Sequence, residues 1–224
     1  MRPAEFVGGL QQLRFENVFN PYVDRCPVHD VEDAPSRRAH ALLQLLQAAS
    51  LVEVDALWIG RDLGHRGGRR TGLALTDDVH VPTHAARWKI SIERATTGSL
   101  MSERTAAVIW SMLALVRAPV FLWNVFPLHP HEPDAPFSNR SHKPHERAVG
   151  EALLAELVVM LRPRRLVAIG NDATKAAARL TGATTEVIQV RHPSYGGQSR
   201  FIAQVECLYD VGMNTRQRSL LAAD

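Results

Sequence analysis

Three short polar segments of this chain bring together residue types that can do chemistry. The first, Gly60-Arg61-Asp62-Leu63-Gly64-His65-Arg66-Gly67-Gly68-Arg69-Arg70-Thr71-Gly72, holds five glycines and four arginines. Glycine lets a backbone approach a ligand closely, and guanidinium groups meet phosphate oxygens bidentately. The segment lacks the Gly-Lys-Ser/Thr ending of a Walker loop and the GxGxxG spacing ahead of a helix. Read alone, it is either an anion-facing loop or a solvated basic turn. Asp62 adds a carboxylate that can hold or polarise water beside a developing positive charge, or simply pair with an arginine.

Asn124 follows directly on the apolar run Val120-Phe121-Leu122-Trp123. A buried amide must be paired, so it meets either local backbone or a ligand, and its coplanar acceptor and donors can read a base edge. In the third segment, His192-Pro193-Ser194-Tyr195-Gly196-Gly197, the proline restrains His192, whose ring can donate to a leaving-group oxygen. Ser194, Gly196 and Gly197 can offer a hydroxyl and backbone N–H groups to a phosphate, while Tyr195 can stack or wedge against bases. The alternative is an ordinary loop with a buried aromatic.

The elements that must position these segments are short apolar strands and longer helical patterns in alternation. Ala56–Ile59, Val120–Val125, Leu166–Ile169 and Val187–Val190 read as buried strands. Ser36–Ala49, Ser102–Val116, His145–Leu161 and Asp172–Leu180 read as helices, the last with Asn171 as N-cap and Gly182 as its stop. Near-continuous apolar strands between helices predict a three-layer α/β/α fold around a central four-stranded, mainly parallel sheet. Ligands of such sheets bind beyond the carboxyl ends of the strands, which is where the three polar segments fall.

At 224 residues the chain is expected to form one domain over 1–224. Residues 1–55 would be an N-terminal extension whose helix packs on the sheet, and 210–224 a flexible tail. Apolar residues at 46% and charged residues at 22% exclude long disorder and collagen-like classes. No apolar stretch reaches the length of a spanning helix and none resembles a secretory leader, so a soluble cytoplasmic protein is expected. The two cysteines, Cys26 and Cys207, are too few for a disulfide framework, a four-cysteine zinc site or a four-cysteine cluster. Cys26-Pro27-Val28-His29 has half of a metal spacing with no second pair, and no metal is expected. The net charge of +3 is small, so a polyanion partner must be held by local clustering, as with Arg66, Arg69, Arg70, Arg140, Lys143 and Arg200. His129, His131, His142 and His145 read as part of the same polar surface.

Taken together and in order, the three segments resemble the uracil-DNA glycosylase superfamily. Gly60-Arg61-Asp62-Leu63-Gly64-His65 resembles its water-activating motif, Gly-Gln-Asp-Pro-Tyr-His in its best-known family. Thr71-Gly72-Leu73-Ala74-Leu75-Thr76 is similar to the continuation that floors the base pocket, and Trp123-Asn124-Val125 to the segment whose Asn pairs with the uracil edge. His192-Pro193-Ser194 resembles the motif of the minor-groove loop, so the likeness runs from about Ala56 to Phe201. The chain departs from the pattern at Leu63, which replaces Pro, and at Gly64, which stands where a Tyr blocks a 5-methyl group. Leu75 falls where a stacking Phe is expected, and Phe19 or Tyr22 could border the pocket.

The resemblance implies a cofactor-free, monofunctional glycosylase of base excision repair. It would flip uracil out of DNA, hydrolyse its N-glycosidic bond and leave an abasic site. Asp62 and His192 would be catalytic, and Gly60, Arg61, Gly64, His65, Leu75 and Asn124 would bind the base. Arg66, Arg69, Arg70, Arg140, Lys143, Ser194, Tyr195, Gly196, Gly197 and Arg200 would contact the DNA. A monomer acting on DNA that contains uracil or an abasic site is expected, with no membrane partner. The alternatives are a glycosylase for thymine or hypoxanthine in mispairs, motivated by Gly64, and a non-catalytic binder of DNA or abasic sites.

Overall fold

The computed structural model describes residues 1–180 and 185–212. The expected stop at Gly182 and residues 213–224 of the expected tail lie outside them. From the N terminus, α1 (Pro3–Gln12), the short strand β1 (Val18–Phe19) and α2 (Ala34–Ala49) precede β2 (Ala56–Asp62). Then come α3 (Gly68–Thr71), α4 (Val81–Trp88) and α5 (Arg104–Leu113), followed by β3 (Val120–Phe126) and β4 (His129–Pro130). The order continues with α6 (Pro144–Leu161), β5 (Arg165–Ile169), α7 (Asn171–Leu180), β6 (Glu186–Val190) and α8 (Gln198–Tyr209). The central sheet has the order β3-β2-β5-β6 and every pairing in it is parallel, as the alternation of strands and helices requires. A separate antiparallel pair joins β1 to β4, with Phe19 opposite His129.

Side chains alternate across a strand, and here both faces of the sheet are covered. Leu57, Ile59, Phe121, Trp123, Leu166 and Ala168 share one apolar cluster with α1, α2, α6 and α7. Ala56, Trp58, Val120, Leu122, Val167 and Ile169 share the other with α5 and α8. That double burial is why the four strands read as unbroken apolar runs. The alternation carries Gly60 and Asn124, which sit opposite each other in the β2–β3 register, onto the α5 side.

Four helices, α1, the single-turn α3, α4 and α8, escaped the sequence pattern. In α1, Gly8 and Gly9 weaken local propensity by about 1 kcal/mol each. Tertiary contact overrides this, with Phe6 and Leu10 buried and the Phe6 and Trp123 ring centroids 5.5 Å apart. In α8 the buried residues Phe201, Ile202 and Val205 have helical spacing beyond the last strand. α4 has only eight residues. The N-cap expectation for Asn171 is corrected, because Asn171 is already inside α7. Gly170, at φ +89°, precedes it and its carbonyl accepts the Thr174 N–H at 3.1 Å. The Asn171 side chain instead accepts a bond from Gln189 at 2.8 Å. Among the described residues no helix is long and apolar enough to cross a membrane.

Buried charge ties the N-terminal part to the segment after β2. The Arg38 and Asp30 side chains, each 1% exposed, form an ion pair. Arg38 Nε also donates to the Arg70 carbonyl at 2.8 Å, and Asp30 accepts the Cys26 N–H at 2.8 Å. Removing one partner leaves the other charge buried without compensation, which costs about 3–5 kcal/mol. Arg38→Met should therefore lower the unfolding free energy by about that amount in urea denaturation. A loss under ~1 kcal/mol would show that Asp30 has other compensation.

Candidate active site

A cleft of about 530 Å³ opens at the carboxyl ends of the strands. Asp62 from the end of β2, Asn124 from β3, Gly170 after β5 and His192 after β6 line it, with Leu75 and Glu103 from the α3–α5 segment. Parallel strands end at one edge, so residues far apart in sequence meet there.

Asn124 is 1% exposed, and its Oδ1 has no hydrogen-bond partner. A buried acceptor left unpaired costs about 1–3 kcal/mol, so the amide is held ready for a partner from the cleft. Its space exists because residue 60 is glycine. A Cβ at Gly60 would collide with Asn124 Oδ1 and come within 2.9 Å of Leu75 Cδ2. Leu75 itself is held at φ +54°, with its carbonyl accepting from Trp110 Nε1 at 3.1 Å. The alternative of local backbone pairing for Asn124 Oδ1 is not what the fold provides.

Asp62 is nearly buried, with a side-chain exposure of 7%. Its Oδ2 accepts from Arg61 Nε at 2.7 Å, and Arg61 also reaches Asp172 at 3.4 Å. Its Oδ1 bonds to His142 Nδ1, from the loop before α6. Asp62 thus has the arginine partner that sequence offered as an alternative, and it also faces the cleft. The His142 contact joins loops 80 residues apart, and no sequence pattern pointed to it.

His192 is fixed by its own loop. Ser194 N–H donates to His192 Nδ1 at 3.2 Å, and Ser194 Oγ lies 2.7 Å from the same nitrogen. With Nδ1 accepting, the ring proton of a neutral imidazole sits on Nε2. Burial, and then the charges of Arg61 and Arg191, lower its pKa to about 4. The ring is therefore a neutral donor at physiological pH. Ser194, expected to hold phosphate, is engaged with the histidine.

Glu103 is a residue that the sequence reading missed, since it carried only the signal of a helix start. It precedes α5, and its backbone N–H donates to Asp77 Oδ2 at 2.6 Å. Burial, and then the nearby Asp77 charge, push its carboxyl up to about 7, with Arg66 opposing. Burial works against the charge on Asp77 as well. Hydrogen bonds from His80 and Glu103 outweigh it and hold that carboxyl below its ordinary value. The Glu103 carboxyl lies over Gly64, its Oε1 3.2 Å from where a Cβ would stand.

Several expected DNA contacts are corrected by burial. Arg69, 5% exposed, stacks 3.7 Å over the Phe19 ring and faces His129 Nδ1 at 3.2 Å. Arg70, 4% exposed, bonds to Asp78 at 2.8 Å through Nε and 2.7 Å through Nη2. Neither can reach a phosphate, because α3 turns both inward. Arg140 borders the cleft but spends its guanidinium on Glu146, at 2.8 and 2.7 Å. His129 is fully buried, not part of a polar surface. Phe19 and Tyr22 are buried away from the cleft, with the Tyr22 hydroxyl donating to the Gly72 carbonyl at 2.8 Å. The Gly197 N–H closes a turn onto Ser194 O at 3.0 Å, so it is not free for phosphate. Of Thr71 to Thr76, Leu75 borders the cleft, whereas Thr71 Oγ1 donates back to the Thr76 carbonyl at 2.8 Å. His65 stands beside the cleft, its backbone N–H donating to Asn139 Oδ1 at 2.9 Å.

Arg66, Lys143, Gly196 and Arg200 remain exposed, and Tyr195 is 96% exposed at φ +51°, at the tip of its loop. Tyr195 is therefore not a buried aromatic, and it borders the cleft together with Arg191. Among the described residues no group of three or more His, Cys, Asp or Glu is placed to hold a metal ion.

Comparison with known proteins places this geometry. No curated protein matches the chain in sequence. Among solved structures, the chain is similar to the crystal structure of wild-type Pedobacter heparinus SMUG2. The identity is 13% and the TM-score 0.61, over 93% of this chain and 97% of that one, a likeness of fold. The family model of the uracil DNA glycosylase superfamily matches residues 51–208, a span that takes in all four strands of the central sheet and Asp62, Asn124 and His192. The chain belongs to the uracil DNA glycosylase superfamily.

Proposed function

We propose that this DNA glycosylase excises uracil from DNA by hydrolysis of the N-glycosidic bond. The observation that carries the reading is that Asp62, Asn124 and His192, from the ends of three different strands, line one cleft. The target nucleotide is extruded from the stack, at a cost of a few kcal/mol that is least for a mispaired base. Tyr195, exposed beside the cleft, fits the wedge that fills the vacated stack. In the cleft, Asn124 accepts from the uracil N3–H and donates to O4, which satisfies its orphaned Oδ1. Cytosine presents a bare N3 and an amino group, so it mispairs on both counts.

As the bond breaks, negative charge gathers on O2 and the sugar gains oxocarbenium character. His192 Nε2–H donates to O2, and a neutral imidazole suffices because the uracil anion is a tolerable leaving group when hydrogen-bonded. Asp62, kept in place by Arg61 and His142, holds the attacking water and offsets the charge on the sugar. The protein acts as a monomer in the cytoplasm, and its partner is DNA bearing uracil or an abasic site.

Incubation with a uracil-containing oligonucleotide followed by alkaline cleavage should give strand scission at the uracil. Its absence would overturn the reading and favour a non-catalytic binder. Asp62→Asn and His192→Ala should each lower single-turnover excision by at least ~10², with DNA binding retained. Wild-type rates in either variant would remove that residue from the mechanism.

Because Ser194 holds His192 Nδ1 as an acceptor and burial disfavours the cation, His192 should stay neutral from pH 8 down to pH 5 and titrate near about 4. Nitrogen NMR of the imidazole reads this directly, and titration near 6.5 would contradict the neutral-donor assignment.

Affinity for DNA should fall steeply with salt, because bound phosphates release counterions. Neutralising Arg66, Lys143 and Arg200 together should flatten the slope, by about 0.9 per lost phosphate contact. An unchanged slope would place the DNA on another surface.

A further inference from the structure

An acidic side chain on the rim of the cleft engages an arginine that an anionic ligand would also seek. β2 and β5 run parallel with Ile59 opposite Ala168, so Arg61 near the end of β2 lies beside the chain that turns from β5 through Gly170, at φ +89°, into α7. Asp172, in the first turn of α7, reaches the same guanidinium. Arg61 is therefore shared by two carboxylates of unequal hold. Its Nε donates to the nearly buried Asp62 at 2.7 Å, whereas its Nη1 stands 3.4 Å from Oδ2 of Asp172, a side chain 51% exposed. Charge-assisted bonds of this kind close to about 2.7–2.9 Å, so the outer pair is loose. Arg61 Nη2 and the Asp172 carboxylate have no other partner among the described residues.

Taken alone, Asp172 complements the positive end of a helix, and an exposed ion pair of this length adds little stability. Its surroundings give it a second consequence. Arg191 lines the cleft with Arg61 and Asp172, its guanidinium free of hydrogen bonds among the described residues, and the charges of both arginines bear on His192. This step rests on the reading above, in which a DNA strand enters the cleft. A phosphate brought to this rim meets Arg61 already engaged by Asp172, and meets the Asp172 charge as a repulsion. We infer that Asp172 is a built-in competitor for backbone phosphate, which occupies the outer nitrogens of Arg61 in the free protein and yields them when DNA binds. Arg61 Nε keeps its bond to Asp62 during the exchange, so Arg61 then bridges a phosphate and the carboxylate that positions water. The exchange lowers affinity for substrate and product alike, and it favours release of the abasic product.

The test is binding of a duplex carrying a tetrahydrofuran abasic-site analogue, over a series of salt concentrations, by wild type, Asp172→Asn, Arg61→Gln and the double variant. Asparagine keeps the size of the side chain at the helix start and removes its charge. Asp172→Asn should tighten binding at low salt by about threefold or more, and steepen the log-affinity slope toward one further phosphate contact, about 0.9. In the Arg61→Gln background the same substitution should lose most of that gain. Should Arg61→Gln fail to fold, Arg61→Met supplies the background. Equal gains in both backgrounds would reduce Asp172 to plain repulsion and overturn the competitor assignment, as would an Asp172→Asn protein that binds no tighter than wild type. Excision of uracil by wild type is read separately. Excision together with an unaltered Asp172→Asn affinity overturns this inference alone, whereas a wild type that neither excises uracil nor binds DNA overturns the glycosylase reading and the inference with it.

Discussion

The parallel register of β2 and β3 is the constraint on which the site depends. It sets Gly60 opposite Asn124, so one strand supplies an amide exactly where its neighbour supplies no side chain. A larger residue at 60 would occupy the amide's place, and a shift of register by one residue would turn Asn124 into the opposite cluster. The same parallel arrangement brings the ends of β2, β3, β5 and β6 to one edge. Asp62, Gly170 and His192 need no further device to meet there.

Around that edge, buried charge does the holding that apolar packing cannot do in glycine-rich segments. Arg38 and Asp30 pair beneath the segment after β2, and Arg38 also binds the Arg70 carbonyl. Arg70 in turn pairs with Asp78, which accepts from Thr96 at 3.1 Å and from the Met101 N–H at 3.2 Å. Asp77 takes the Glu103 N–H. A continuous polar network therefore runs from α2 under α3 to the start of α5, fixing the two sides of the cleft relative to each other. Such pairs contribute less to net stability than to a single arrangement of the chain, because desolvation offsets most of their attraction.

The electrostatics of the cleft suit a reaction that separates charge. Burial and neighbouring cations keep His192 neutral, and burial with a neighbouring anion raises the Glu103 carboxyl to about 7. Asp62 lines the cleft, nearly buried and bound to Arg61. Groups already oriented by Ser194, Arg61 and His142 need little reorganisation when the bond breaks.

How much of this was legible in the sequence follows from what each signal depends on. The four strands, the parallel sheet and the placement of Asp62, Asn124 and His192 at strand ends came from local patterns, because apolar runs and the polar residues that end them are properties of contiguous chain. Arginine was the residue type read least well. Arg69 and Arg70 look like phosphate contacts beside glycine, yet α3 turns them onto Phe19 and Asp78, while Arg66, in the same segment, remains exposed. Nor could spacing disclose that His142 binds Asp62 or that Glu103 covers Gly64, since those pairs are separated by loops whose paths are set by distant contacts. The sequence by itself determined which residues could do the chemistry and which strands carry them. Only the tertiary structure decided which charges stay exposed beside the cleft and which groups line it, because burial and contact depend on how separate segments pack.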